Sequence, residues 1–534
     1  MFKLLNQQKI KSALYIGLIA GLLTSCGKDN VSHSDYIPNN AFAVISVNTE
    51  AIVGDAFFDL LTNNSLSIDF ASGPLSGIMK DPSNAGIKSL NKFYFFAVGE
   101  KIFEGKVGAV LPLNDSEKLA QYIKHNFECE VNKDNGFSVA KISAEHNLVW
   151  NDNTAIYFFG AFGGDLVKEA QTLFKQTPEQ SLAIKDSTFS FALNSEAHIS
   201  TWINNDKFLS FIDEGLSMAM NYKLLEKLNV TKDDMLGSKS IFLTNFNKGN
   251  ITIDQRQYLS QNKIKKYQGF QKKNNILGLT SMASKEDPIM MASVSLKSEG
   301  LIDLLKDYKL DVLWDAQMAK LPNQIKIDQL AQFFSGDVLV LLNDIEKVKQ
   351  IKQVPGLDDE GEDIMETKEI IIDRPQLTAG LTLKNAQLFK LFLNTFATFL
   401  PVVDGFSSFN NELFFAVKGD FFFLTTSQKG IKSLNKMNGK LNLELSSLVA
   451  NNRTSIYLNT AQLLNKAGDF FPVKIEGAEN LKNIIISEHG DFSKGFIQGK
   501  TTLNFNGEEN GLISIFKLIS NISKPFASQL GSVL

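Results

Sequence analysis

The chain has 534 residues, 44% hydrophobic and 21% charged, with a formal net charge of −4. So mild a charge argues for neither a nucleic-acid partner nor an acidic interaction tail. The two cysteines, Cys26 and Cys129, exclude a disulfide framework, and 42 phenylalanines can supply a core without one.

Met1 to Lys11 is polar and carries Lys3, Lys9 and Lys11 without an acid, and Ala13 to Leu23 is an uninterrupted apolar run of 11 residues. Crossing a bilayer takes about 20. A basic start, a short apolar stretch and small residues are instead the parts of a secretory signal. Leu23-Thr24-Ser25-Cys26 resembles a bacterial lipobox. The resemblance implies cleavage before Cys26, a diacylglyceryl group on its sulfur and a third acyl chain on its freed amine. With roughly 0.8 kcal/mol for each buried methylene, three chains hold far more firmly than one. Residues 1–25 are thus expected to be the signal peptide and 26–35 a polar tether. Gly27 stands where an Asp favours inner-membrane retention in the enteric sorting pattern. Lys28-Asp29 partly resembles the charged export signal of Bacteroidetes-type surface lipoproteins. The expected location is the outer membrane, lipid-anchored, with the surface and periplasmic sides both open.

The body opens with strand-like Ala43–Val47, then Asn48-Thr49-Glu50, whose capping chemistry predicts a helix carrying Phe57, Phe58, Leu60 and Leu61. The same strand, Asn or Ser, then helix order is read at 109–119, 191–199, 293–305, 380–392 and 455–465. The starts near 43, 109 and 191 reappear near 293, 380 and 455, and a further strand pair, near 238 and 481, sits late in each half. This spacing predicts an internal duplication. Gln261–Asn275 is lysine-rich and reads as a solvated connection, giving expected units of 36–262 and 285–534 around a linker at 263–284. Residues 91–113 and 411–427 read as antiparallel strands and a hairpin, and 299–308, 385–399 and 512–522 as helices. The segment 354–369, with Pro355 and many acids, reads as an irregular solvated loop. The expected fold class is α+β: two tandem related halves, each a mainly antiparallel sheet with helices on one face.

Chemistry is sparse. The sequence has no G-x-S-x-G, phosphate loop, H-E-x-x-H or C-x-x-C. Gly160–Gly164 reads as a turn. The heptapeptide GIKSLNK occurs at 86–92 and 430–436, placing Ser89 before Lys92 and Ser433 before Lys436 in an S-x-x-K spacing, but its companion motifs are missing. The five histidines, His33, His125, His146, His198 and His489, lie apart, with His198 read on a helix after Asn194, and predict no metal site. Cys129 between Glu128 and Glu130 should resist ionisation. The expectation is no enzyme and no cofactor. The lysines at 263–273 are read as linker, with no nucleic-acid partner.

Lipobox, tether, a Tyr-Ile-Pro opening and repeated strand-to-helix units together resemble a family of large Bacteroidetes lipoproteins catalogued as a domain of unknown function. The resemblance brings no catalytic residues. The sequence therefore points to an envelope binding or scaffolding module held to the membrane by its lipid, with envelope proteins or glycans as partners. A carrier of lipid or apolar ligands, or an unfamiliar envelope hydrolase, is the alternative.

Overall fold

The computed structural model describes residues 32–52, 74–80, 82–160, 164–220, 235–270, 272, 276–284, 286–307, 311–312, 315–316, 326–357, 363–397, 400–410, 412–466, 478–489 and 494–518. Cys26, its neighbours Leu23, Thr24, Ser25, Gly27, Lys28 and Asp29, and the helix expected around Phe57 lie outside these residues.

Ten strands form the first part of one sheet. They are β1 (Ala43–Asn48), β2 (Lys92–Val98), β3 (Lys106–Pro112), β4 (Val131–Asp134), β5 (Phe137–Lys141), β6 (His146–Trp150), β7 (Thr154–Phe159), β8 (Ile199–Asn204), β9 (Lys239–Asn247) and β10 (Asn250–Tyr258). All pair antiparallel, in the spatial order 4-5-6-7-3-2-1-8-9-10.

The next ten are β11 (Met290–Ser295), β12 (Phe334–Leu357), β13 (Asp363–Leu383), β14 (Val402–Val403), β15 (Phe406–Phe409), β16 (Leu413–Lys418), β17 (Phe421–Thr425), β18 (Thr454–Leu458), β19 (Leu481–His489) and β20 (Phe496–Phe505). Their order, 14-15-16-17-13-12-11-18-19-20, is the first order with ten added to each number. β10 pairs with β20 from Asn250↔Asn504 to Tyr258↔Phe496, so the two sets make one twenty-stranded sheet.

Equivalence extends to side chains. Gly108 on β3 faces Phe158 on β7, and Gly380 on β13 faces Phe423 on β17. In both places the missing side chain makes room for aromatic and apolar neighbours: Phe96 at Gly108, and Met282, Leu279 and Phe423 at Gly380. Where the sequence put helices on one face, the first half has them on both, because its strands are apolar on both sides. Helices α1 (Pro74–Lys80) and α2 (Ser116–Phe127) bury Ile78, Leu119 and Ile123 on Phe93, Leu111, Leu148 and Trp150. Helices α3 (Leu166–Phe174) and α4 (Ser187–Leu193) bury Leu166, Ala170 and Phe189 on Tyr94, Phe96, Val149, Ile156 and Trp202. Helix α5 (Asn205–Met220) follows β8.

Helix α6 (Gln261–Gln268) occupies the start of the lysine-rich stretch. Within the expected linker 263–284, the described Ile276, Leu279 and Met282 enter the second core, and the Lys272 ammonium meets the buried Asp337 carboxylate at 2.6 Å. Helices α7 (Ser298–Asp307) and α8 (Ala386–Ala397) share a cluster through Ile302 and Phe389, whereas α9 (Gln428–Lys436) and α10 (Leu443–Asn451) bury Ile431, Leu434, Leu445 and Val449 on Met291, Leu339 and Leu341. Helix α11 (Thr460–Lys466) follows β18, and 511–518 is helical.

The joints work as the capping chemistry requires. Side-chain oxygens of Asp115, Asn385 and Asn459 accept from first-turn N–H groups of Lys118, Leu388 and Gln462.

Three expectations are corrected. Residues 191–199 are not strand then helix: α4 ends at Leu193, Asn194 is its C-cap, and the true joint is Asn204 between β8 and α5, displaced by one helix. His198 consequently precedes a strand. Residues 354–357 and 363–369 are not a loop but the outer part of the β12–β13 hairpin, because β-branched residues recur along both strands, Val348, Ile351 and Val354 on one and Ile370, Ile371 and Ile372 on the other, and outweigh the acids near the turn. The hairpins at 91–113 and 411–427 form as expected.

A methyl group on Gly108 would sit 2.2 Å from the Phe96 ring. Gly108→Ala should therefore cost about 1–3 kcal/mol in urea unfolding through overpacking. A change below about 0.5 kcal/mol would show that the ring can move aside.

Candidate functional site

The sheet ends at β4, and beside it lies a polar groove of about 690 Å³. Its floor is one face of the β4–β5 hairpin, with Glu130 just before β4, Asn132 and Asp134 on it, and Val139 and Lys141 on β5. Its wall is α3 with its caps: Val167, Lys168, Gln171 and Thr172 from the helix, Asp165 and Lys175 from its two ends. The hairpin turns tightly on Asn135 and Gly136, both with positive φ (52° and 86°), as a two-residue type I′ turn demands.

Most uncharged groups in the groove hold one another. The buried Gln171 amide donates to Asp134 Oδ2 at 2.9 Å and to its carbonyl at 3.4 Å, while Asn135 Nδ2 donates to Gln171 Oε1 at 3.4 Å. Asp165 Oδ1 caps α3 by accepting from the Lys168 N–H. The three lysines are different: Lys141, Lys168 and Lys175 enter no ion pair or side-chain hydrogen bond among the described residues. The groove thus presents uncommitted ammonium donors above a floor whose amide network is already fixed.

Cys129 sits at one end, half-buried, its thiol donating to the carbonyls of Lys141 at 3.3 Å and Glu130 at 3.4 Å. Burial and then the Glu130 charge push its pKa up, so it is a poor nucleophile. The equivalent place in the second half is built differently. β14 has two residues, its turn uses Asp404 and Gly405 with positive φ, and Asn435 on α9 reaches across to donate to the Asp404 carbonyl at 3.0 Å.

Other residues singled out by sequence do not assemble into chemistry. Lys92 spends its ammonium on the carbonyls of Leu193 and Ser195, at 3.0 and 3.1 Å, not on Ser89. Ser433 and Lys436 lie on α9 with no hydrogen bond between them. Residues 161–163 of the glycine turn fall outside the described residues. Among the described residues no three His, Cys, Asp or Glu side chains converge as a metal site. Three of the five histidines are tied into the fold instead. His33 Nδ1 bonds Thr154 Oγ1 at 2.9 Å, His146 Nδ1 bonds the Tyr157 hydroxyl at 2.5 Å, and His198 Nδ1 accepts from the Phe246 N–H at 2.9 Å. Burial lowers the pKa of all three, with Lys88 adding to the effect at His33 and Glu145 opposing it at His146. Burial also pushes the Tyr157 hydroxyl up to about 12.

One family model matches residues 35–444, well over half the chain, and its description is a domain of unknown function, DUF4836. The chain belongs to that family. The match stops short of β18, β19 and β20. No curated protein matches the chain. Among solved structures, crystal forms I and III of TP0453 are similar at 10% identity, each over 44% of this chain and over 81% and 82% of their own, with TM-scores of 0.27 and 0.28. Likenesses that slight define no common fold.

The histidine environments set the sign of a pH effect. A folded pKa below the ordinary 6.5 means that neutral imidazole is favoured on folding, so this stability is present above about pH 6.5 and lost as pH falls through the lowered values. The urea midpoint should drop between about pH 7.5 and pH 5, and His198→Gln should flatten part of that drop. A pH-independent midpoint would contradict it.

Proposed function

We propose that the chain is an outer-membrane lipoprotein, anchored through acylated Cys26, whose two equivalently paired ten-stranded units arose by duplication and serve as a non-catalytic binding module. The groove beside β4 is its ligand site. The observation that carries the reading is the groove itself: a concave surface of about 690 Å³ with free ammonium groups on a fixed amide floor, within the range of small-ligand sites. The equivalent place in the second half is built differently among the described residues, so the shared fold does not require it. The anchor reading rests on Leu23-Thr24-Ser25-Cys26 and is compatible with the absence, among the described residues, of a helix long and apolar enough to cross a membrane. A carrier of acyl chains has less support, because Phe93, Phe96, Phe189, Phe406 and Phe423 are spent filling closed cores.

Two measurements test these statements separately. Cys26→Ala should abolish palmitate labelling and release the protein from the membrane fraction, and persistent labelling would refute the anchor. Asn132→Trp, on the exposed floor, should leave the unfolding midpoint unchanged while removing at least about tenfold of the affinity for polar envelope glycans presented on an array. Identical array profiles for wild type and variant would refute the groove as the ligand site.

A further inference from the structure

The chain has three arginines, Arg256, Arg374 and Arg453. Arg374 pairs with Glu412 and Arg453 with Glu488. Arg256, on β10, makes no ion pair and no side-chain hydrogen bond among the described residues. Its guanidinium lies instead over the Phe191 ring of α4, 3.9 Å from the centroid, and over the Phe496 ring of β20 at 5.1 Å. Phe496 in turn leans on Tyr258, with ring centroids 5.3 Å apart. All four side chains are half-buried. A guanidinium held on aromatic rings keeps its fork oriented while its N–H donors stay unspent. Partial burial of a charge without a counter-ion is a cost that an apolar side chain beside the same rings would not carry.

Directly opposed residues of antiparallel strands share a face. By register, Arg256 therefore shares a face with Ile241 of the first-half core and, through the Thr252–Thr502 pair and Ile485, with Tyr457 of the second-half core. On that face α4 packs on β9 and α10 on β18, four strand spacings or about 19 Å apart. Between them stand Gln498, opposite Arg256, and the exposed Asp254 and Lys500, which are registered partners yet form no ion pair. The side chains of these three residues and of Thr252 and Thr502 have no hydrogen-bond partner among the described residues. At the two ends of the stripe the side chains are committed, Lys239 to Asp186 and Asn504 to Asn483.

We propose that this stripe is a second ligand site, independent of the β4 groove, and that its ligand is an acidic saccharide whose carboxylate seats on Arg256. The guanidinium fork matches a carboxylate with two parallel hydrogen bonds. Arg256 and Lys500 against Asp254 leave one net positive charge. That complements one carboxylate better than a phosphate monoester, which carries about −1.5 to −2 at neutral pH. Asp254, Gln498, Thr252 and Thr502 supply the acceptors and donors that sugar hydroxyls need, and Phe496 and Tyr258 supply apolar surface beside them. A peptide strand fits less well: β10 and β20 are each paired on both sides, so the floor offers no free backbone edge for one to join.

Calorimetric titration of the full-length chain carrying Asn132→Trp, which obstructs the β4 groove, reads this site separately from that one. Tetragalacturonate should bind with a Kd below about 1 mM and its methyl ester at least about tenfold more weakly, while glucose 6-phosphate should not displace the acid. In the same background Arg256→Lys, which keeps the charge and loses the fork, should weaken binding by at least about tenfold. Arg256→Leu should abolish binding with the urea midpoint unchanged or raised. Absence of binding by the Asn132→Trp chain, equal binding of the ester, displacement by glucose 6-phosphate, or undiminished binding by Arg256→Lys would each overturn the proposal.

Discussion

Everything in this molecule hangs on the backbone ladder between β10 and β20. Each half ends its sheet in an unpaired strand, and those two strands close on each other over nine registered positions. An exposed strand edge of that length is a template for association with other chains. Here it is consumed internally. Around the ladder Val47, Phe246 and Ile251 from one half pack with Leu481, Phe505 and Leu512 from the other, so the seam is a core in its own right. Gly249 lets the β9–β10 turn approach the end of β20: its φ is +70°, and any side chain there would meet the Gly507 carbonyl at 2.7 Å.

The fold was legible wherever local chemistry and tertiary position agree. Asparagine at a strand-to-helix joint is visible in sequence because it satisfies an N–H that the helix cannot satisfy for itself, and the offsets between such joints pointed toward the strand equivalence now seen in the pairings. The order of strands in the sheet was not legible, since β1 between β2 and β8 is decided by which faces bury together. GIKSLNK shows the limit sharply. At 430–436 it is helical, with Ile431 and Leu434 in the core; at 86–92 it is a turn followed by a bridge from Ile87 to Leu113. Seven identical residues carry too little information to oppose their surroundings.

The groove was less legible still. Its lysines lie on α3 and β5, 27 or more positions apart in sequence for Lys141 and Lys168, and only the hairpin's return over β6 and β7 brings them to one cavity. The Asn135-Gly136 pair marks the turn, and the exposed polar face of α3 is ordinary for a surface helix. Nothing in spacing alone separates such a face from one that lines a binding site. The Cys129 thiol is held above its ordinary pKa, as its acidic neighbours suggested, though burial outranks the neighbouring acid as the cause.

The closing ladder also imposes an order in time. β10 is complete by residue 258, but the strand that covers it is made only at 496–505. A chain emerging from its N-terminal end must therefore hold an assembled first sheet with one raw edge while almost as much chain again is delivered. Its most vulnerable moment is that interval, when the edge can be claimed by a neighbouring nascent copy in place of its own last strand. The β10 edge is closed only by the whole chain.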